Sequence, residues 1–366
     1  MTPRGMAAPS RTTRGKVASV RLAGIDAARG LALLGMMATH VLPTFLPDQQ
    51  LTPTWVGLTL SGRASALFAV LAGIGLALST GRQQPLEGSE LWAARRGIAF
   101  RALVVGAVGL SLGGLEVNIA IILVHYAVLF LCVLPFIGLR VKQLLGLAAA
   151  WVLLAPVLAY LLRPWLLAAT PPLKLGHNPS WEDLSTPGPL LGDLFLTGYY
   201  PVLQWIAYLL IGLAIGRLAL SKPAVQALLL AGGTVVAVLS KWLSVVLMED
   251  WGGREALQAR LVDPSYPLES LLLGRLGEWV ELDLLLPLRG AGALTLSLYT
   301  AHVWVMAALA EQPLPAGWTA EAVYWVQAAV AVLIGTVFAA LGWRGPLEWV
   351  AHAANQLGRY QPERIR

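Results

Sequence analysis

RLAGIDAARGLALLGMMATHV, residues 21–41, is the stretch from which the fold is read. A basic residue stands at its start, one acid and one arginine follow within the first turns, and the run from Gly30 to Ala38 has no polar side chain. At 1.5 Å of rise per residue the stretch is about 30 Å long, which matches the hydrocarbon thickness of a bilayer. A helix apolar on every face is buried, in protein or in lipid.

The flanks favour lipid. Residues 1–21 carry Arg4, Arg11, Arg14, Lys16 and Arg21 and no acid, with no small-residue cleavage site after the apolar run. They read as a disordered basic cytoplasmic tail, not a removable signal peptide. Over all 366 residues, 57% are hydrophobic and 13% charged, with mean hydropathy +0.67. A soluble domain is about 25% charged, so a water-soluble globule of this size is excluded. The net charge of +6 is spread over the gaps between apolar runs, which argues against a nucleic-acid surface and for loops of a membrane protein. Cys132 is the single cysteine, so no intramolecular disulfide or cysteine-based metal site can form.

Further runs of spanning length lie at 60–80, 97–114, 117–138, 143–162, 200–219, 223–247, 291–310 and 320–342. YPLESLLLGRLGEWVELDLLLP, residues 266–287, is a weaker candidate because it contains Glu269, Arg275, Glu278, Glu281 and Asp283. The positive-inside rule favours its crossing: with the N-terminus inside, only an extra span keeps Arg289, Arg344, Arg359, Arg364 and Arg366 on the same side as Arg82, Arg95, Arg96, Arg140 and Arg217. The expected fold class is therefore all-α, a polytopic integral membrane helical bundle of about ten spans. A basic tail (1–24), a transmembrane domain (25–343) and a second tail (344–366) make up the chain, with both termini cytoplasmic. Two larger outer loops, 163–199 and 248–265, hold polar and aromatic residues, among them Trp181 and Tyr199, with Tyr200 just beyond the first.

Ionisable groups inside spans are costly and mark candidate sites. His40, His125 and His302 fall at similar estimated depth on three different spans, with Tyr126 and Tyr299 beside two of them. Such a histidine can act as a general base or simply bond across helices. Asp26 and Arg29, three apart, can pair on one helical face, and Arg63 can orient an anionic or hydroxylated substrate. Arg82, Arg95, Arg96 and Arg101 form a basic group that either holds phosphates or expresses the topology rule alone. Gly212 with Gly216, and Gly109 with Gly113, permit close helix approach. No Walker loop, HExxH or dinucleotide fingerprint occurs, and no metal-ligand spacing is present.

Asp26, Arg29, Gly30 and a terminal His40 make the first span similar to the first helix of integral-membrane acyltransferases, in particular the heparan-α-glucosaminide N-acetyltransferase family with its bacterial, notably actinobacterial, members and, more distantly, bacterial sugar O-acyltransferases. SGRASALFAVLAGIGLAL, LTGYYPVLQWIAYLLIGLAIGRLAL and GALTLSLYTAHVWV resemble later helices of that superfamily. LTPTWVGL lacks the histidine that the heparan family carries before its second helix, and Arg96 and Arg101 are spaced differently from the O-acyltransferase arginine pair. The resemblance implies transfer of an acyl group from cytosolic acyl-CoA, acetyl-CoA above all, to a polar small-molecule acceptor, often a sugar, on the far side of a bacterial cytoplasmic membrane. His40 would be the base, with His302 and Tyr299, or His125 and Tyr126, completing the site. Asp26, Arg29, Arg63, Tyr126, Trp181 and Tyr200 would contact substrate, and Arg82, Arg95, Arg96 and Arg101 would hold the CoA phosphates. The partners expected are the bilayer and the acceptor, with no nucleic acid; a homodimer stays open. A proton-coupled transporter is the alternative, using the same buried histidines with Glu278 and Glu281, and a non-catalytic scaffold is a third.

Overall fold

The computed structural model describes residues 23–46, 52–115, 117–167, 177–246, 250, 293–311 and 317–360. Among these residues it is an all-α membrane bundle, without strands apart from an isolated bridge between Phe45 and Pro53. In chain order the helices are α1 (Ala23–Val41), α2 (Trp55–Thr59), α3 (Arg63–Ser79), α4 (Gly88–Gly113), α5 (Leu123–Val133), α6 (Val141–Leu167), α7 (Pro187–Gly192), α8 (Val202–Gly216), α9 (Pro223–Val245), α10 (Thr295–Glu311), α11 (Ala320–Ala340) and α12 (Pro346–Arg359). Trp55–Ser79, Gly88–Gly113, Val141–Arg163, Pro223–Leu243 and Ala320–Ala340 are each long and apolar enough to cross a bilayer. The charged stretch 266–287 and most of the loop 248–265 lie outside the described residues.

Burial sorts the helices. α3 and α8 hold the centre, and Leu209, Leu210 and Leu213 are wholly buried. On α9, by contrast, Leu228, Val238 and Trp242 are each more than 60% exposed. An apolar surface of that extent is what a helix facing lipid presents.

The small residues of α3 and α8 set their separation, as the Gly212 and Gly216 spacing leads one to expect. A Cβ at Gly212 would run into the Val70 carbonyl oxygen and come within 3.0 Å of Val70 Cα; one at Gly73 would lie 2.8 Å from Leu213 N. Backbone cannot swing aside as a side-chain tip can. Gly212→Val is therefore expected to force the central pair apart and to cost roughly 1–3 kcal/mol by overpacking. Thermal unfolding of the purified protein checks this; an unchanged midpoint would contradict it.

One expected span is broken, and a second break stands at the boundary expected between the outer loop 163–199 and the span 200–219. Residues 117–122 are not helical, and α5 begins only at Leu123. Unwound backbone inside a bundle needs partners for its polar groups. Asn178 supplies two: its side-chain oxygen accepts from Ile121 N–H at 2.8 Å, and its nitrogen donates to Ile119 O at 2.8 Å. The hydroxyls of Tyr200 and Tyr299 both donate to Ala120 O, at 3.4 and 3.3 Å. The second break separates Pro187–Thr197 from Val202–Gly216, bent by 55°. Gly198 and Pro201 occupy it, and Pro201 cannot donate the bond that would continue the helix. Much of the expected outer loop 163–199 is thus helical: α6 runs on to Leu167, and α7 continues into a π-turn over Asp193–Thr197.

The stretch from 344 onward, expected as a tail, folds into α12 and packs against α4. Gly345 in extended conformation and Pro346 in the first turn start the helix, a placement that uses proline's fixed φ and missing N–H. Gly358 lets α12 approach α4, since a Cβ there would lie 2.7 Å from Arg96 O and from Gly97 Cα.

Candidate functional site

Where α1 and α10 begin and α3 ends, the helices enclose a cavity of about 480 Å³. Its charged lining is Asp26, Arg29, Arg82, Arg101 and Glu348, and its deeper lining includes Phe68, Leu76, Val105, Phe130, Tyr126 and Tyr299. The composition is amphipathic, cationic at one end and apolar at the other.

Each charged residue has a structural reason for its place. Asp26 and Arg29 pair at 3.2 Å on one face of α1, as their spacing implies. Gly75 leaves room for the guanidinium, because a Cβ there would lie 2.6 Å from Arg29 Nη2. Arg101 is exposed along α4 and lines the cavity, and its guanidinium lies 5.7 Å from the Phe130 ring centre. Glu348, in the first turn of α12, accepts from the backbone N–H groups of Leu296 (2.6 Å) and Ser297 (3.0 Å) and from the Ser297 hydroxyl. A carboxylate at a helix start satisfies N–H groups that lack partners within the helix.

Arg82 follows α3 with φ of 54°, a left-handed backbone conformation that costs a non-glycine residue energy and persists only where its surroundings hold it. Arg217 holds it. From the end of α8 its buried guanidinium donates to the carbonyls of Thr80 (2.8 Å), Arg82 (2.8 Å), Ala77 (3.3 Å) and Ile137, and to the Thr80 hydroxyl (3.1 Å). At the same end the His352 imidazole is held below its ordinary value, first by desolvation and then by Arg344, Arg101 and Arg359. This end of the molecule disfavours a further cation and suits an anion.

One turn beyond the deep lining stands a pair of histidines. Met36 and Tyr299 line the cavity, and the Tyr299 ring meets the His40 ring edge-on at 6.3 Å. His40 Nδ1 lies 3.1 Å from His302 Nε2, with the ring planes within 9° of parallel. His302 Nδ1 in turn lies 2.7 Å from Gln327 Oε1 on α11.

His125 does not join them. It is fully buried near Tyr200, 5.8 Å between ring centres, in the first turn of α5. Its neighbourhood includes Gly198 and Asp193, and Asp193 lies 3.4 Å from His177 Nδ1, while His177 Nε2 lies 3.1 Å from Asp183. Both ring nitrogens of His125 and one oxygen of Asp193 are buried with no hydrogen-bond partner among the described residues. Among these residues no group of three His, Cys, Asp or Glu side chains is arranged to hold a metal.

Of the sequence candidates, the structure gathers Asp26, Arg29, Arg82, Arg101, Tyr126 and Tyr299 around one cavity and sets His40 and His302 beside it. It places the others elsewhere. Arg95 donates to the carbonyls of Leu134 and Pro135. Arg96 donates to Tyr360 O and so fastens α12. Trp181 is half-exposed, with its indole N–H on the Ser111 hydroxyl. Arg63 is the first residue of α3, and the Tyr200 hydroxyl is spent on backbone. Sequence reasoning missed Glu348, Gln327 and Arg217. The proline start and amphipathic pattern of PLEWVAHAANQLGR could have found the first.

A family model described as heparan-alpha-glucosaminide N-acetyltransferase, catalytic, matches residues 21–244, more than half of the chain. That segment contains His40 and the three cavity arginines; His302, Gln327 and Glu348 come after it. No curated protein and no solved structure matches the chain.

Proposed function

The chain belongs to the heparan-alpha-glucosaminide N-acetyltransferase catalytic family, and from that premise we propose that it transfers an acyl group from acyl-CoA, acetyl-CoA in the first instance, to a hydroxyl or amine of a polar acceptor, a sugar by preference. The observation that carries this reading is one cavity lined by three arginines and by Tyr299, whose ring meets His40 of the His40–His302 pair.

Acyl-CoA has the same polarity as the cavity: phosphates at one end and a slim, weakly polar arm ending in the thioester. Arg29, Arg82 and Arg101 would hold the phosphates by charge-assisted hydrogen bonds. Phe68, Leu76, Val105 and Phe130 would line the arm and exclude water. His40 would remove the acceptor proton as the acceptor oxygen or nitrogen attacks the thioester carbonyl, and the proton would pass to the departing thiolate. The carbon–sulfur bond breaks, one carbon–oxygen or carbon–nitrogen bond forms, and free CoA thiol leaves. We place the phosphate end on the cytosolic side of a bacterial cytoplasmic membrane and the histidine pair toward the acceptor side.

The test is transfer from labelled acetyl-CoA by the purified full chain in nanodiscs, offered a panel of amino sugars and sugars. Thiol release that depends on acceptor supports the reading; no release with any acceptor removes it. Arg101→Ala is expected to raise KM for acetyl-CoA by roughly tenfold or more, the worth of a charge-assisted hydrogen bond, with a smaller effect on kcat. An unchanged KM would detach Arg101 from the donor.

One observation favours a proton-coupled transporter as second reading: the bent pair at Gly198–Pro201 has buried, ionisable His125 and Asp193 at its break. Broken helices of this kind occur at transporter sites. Uptake into sealed vesicles without thiol release would support it.

A further inference from the structure

The His40–His302 contact has a direction, and a third residue sets it. A neutral imidazole has one N–H donor and one lone-pair acceptor. His302 Nδ1 faces Gln327 Oε1 at 2.7 Å, and an amide oxygen only accepts, so His302 Nδ1 carries the proton. His302 Nε2 then holds a lone pair. It faces His40 Nδ1 at 3.1 Å, so His40 Nδ1 carries the proton in that bond. What is left is a lone pair on His40 Nε2, the one ring nitrogen of the pair that neither of these bonds occupies.

We infer that Gln327 is a positioning residue, which fixes the tautomers of the His40–His302 pair so that His40 Nε2 is the base. The inference rests on the acyl-transfer reading for its purpose, although its geometry is independent of that reading. The polarity is readable at Gln327 alone. If the amide were turned, its nitrogen would donate to His302 Nδ1, both histidines would reverse, and His40 Nε2 would carry a proton and could take none. In the orientation found, the Gln327 oxygen makes the bond to His302, and its nitrogen is buried with no hydrogen-bond partner among the described residues. When His40 Nε2 takes the acceptor proton, the Nδ1 proton can move to His302 Nε2. The positive charge then rests on His302, whose Nδ1–H still points at the Gln327 oxygen. The Gln327 oxygen there stabilises that charge as a hydrogen-bond acceptor.

The experiment uses the full chain in nanodiscs with ¹⁵N-labelled histidine, five residues in all, and reads each imidazole nitrogen as protonated or bare. The His40 signals are identified by their loss in His40→Asn. The expected result is His40 protonated at Nδ1 and bare at Nε2 in the native protein. The same pattern is expected in Gln327→Glu, which keeps an acceptor, and a mixture of tautomers in Gln327→Leu. With acetyl-CoA as donor, Gln327→Leu should lose kcat by roughly 10- to 100-fold at unchanged KM, and Gln327→Glu should retain turnover. A native His40 protonated at Nε2 overturns the inference. So does a Gln327→Leu protein with native tautomers and native kcat. If the spectra come out as expected but the native protein turns over no acyl-CoA, the acyl-transfer reading fails and the assignment of Gln327 stands. Should Gln327→Leu fail to fold, the native spectrum and Gln327→Glu decide alone, because Gln327→Glu with reversed tautomers also overturns it.

Discussion

His40→Ala is expected to lower acyl transfer from acetyl-CoA by roughly 10²- to 10⁴-fold, the range for loss of a positioned general base. Binding of acetyl-CoA should change little. The separation follows from the layout: the donor's charged end is assigned to Arg29, Arg82 and Arg101, whereas His40 lies beyond the opposite, apolar end and reaches the cavity through Tyr299. His40→Asn, closer in size and still able to bond to His302, should be as inactive, which separates lost chemistry from lost packing. A His40→Ala protein with native turnover would remove the histidine pair from the mechanism.

Arg217→Leu should be the most damaging single change to stability. One guanidinium ties the end of α3, the turn at Arg82, Ile137 after α5 and its own helix α8. Leucine of similar bulk leaves the Arg82 and Ile137 carbonyls without their donor, whereas the Ala77 and Thr80 carbonyls keep backbone donors and the Thr80 hydroxyl keeps Leu76 O; each buried group without a partner costs about 1–3 kcal/mol. Neighbouring losses overlap, so the expected total is roughly 3–5 kcal/mol, on the order of 10 °C in unfolding midpoint. Arg217→Lys should be nearly as severe, because a single ammonium cannot reach on both sides as the planar fork does. A folded remnant of either variant should also bind acetyl-CoA more weakly, since Arg82 would lose the contact that holds its left-handed turn. Unfolding followed by the fluorescence of the 14 tryptophans is the check, and a native midpoint in Arg217→Leu would contradict this role.

What could be read from the sequence was local or periodic. Asp26 and Arg29 pair because three residues bring side chains onto one helical face. Gly212 and Gly216 pack as small residues spaced by four do. Depth along a span is also linear in sequence, and it placed His40 and His302 at a common level, where they meet. Depth says nothing about rotation round a helix axis, so His125, at a similar level, faces a different neighbourhood. The rest depended on contacts between distant segments. Arg217 looks like any loop arginine beside a span until the carbonyls of residues 77–82 and 137 are seen around it. Asn178 looks like loop polarity until the unwound backbone it satisfies is known. Glu348 lies beyond the last expected span, and that it caps a helix some fifty residues earlier shows only in the fold.

The central claim is that the arginine-lined cavity delivers an acyl group to the histidine pair. It is tested most directly with an acyl-CoA carrying a photoreactive group at the end of its acyl chain, bound to the full chain in nanodiscs, irradiated and mapped by mass spectrometry. The account predicts label on the peptides that hold Met36–Val41 of α1 and Tyr299–Val303 of α10, competed away by excess acetyl-CoA and weakened in Arg101→Ala. Label confined to the lipid-facing surface of α9, or to the Trp181 segment, with no competition by acetyl-CoA, would contradict it.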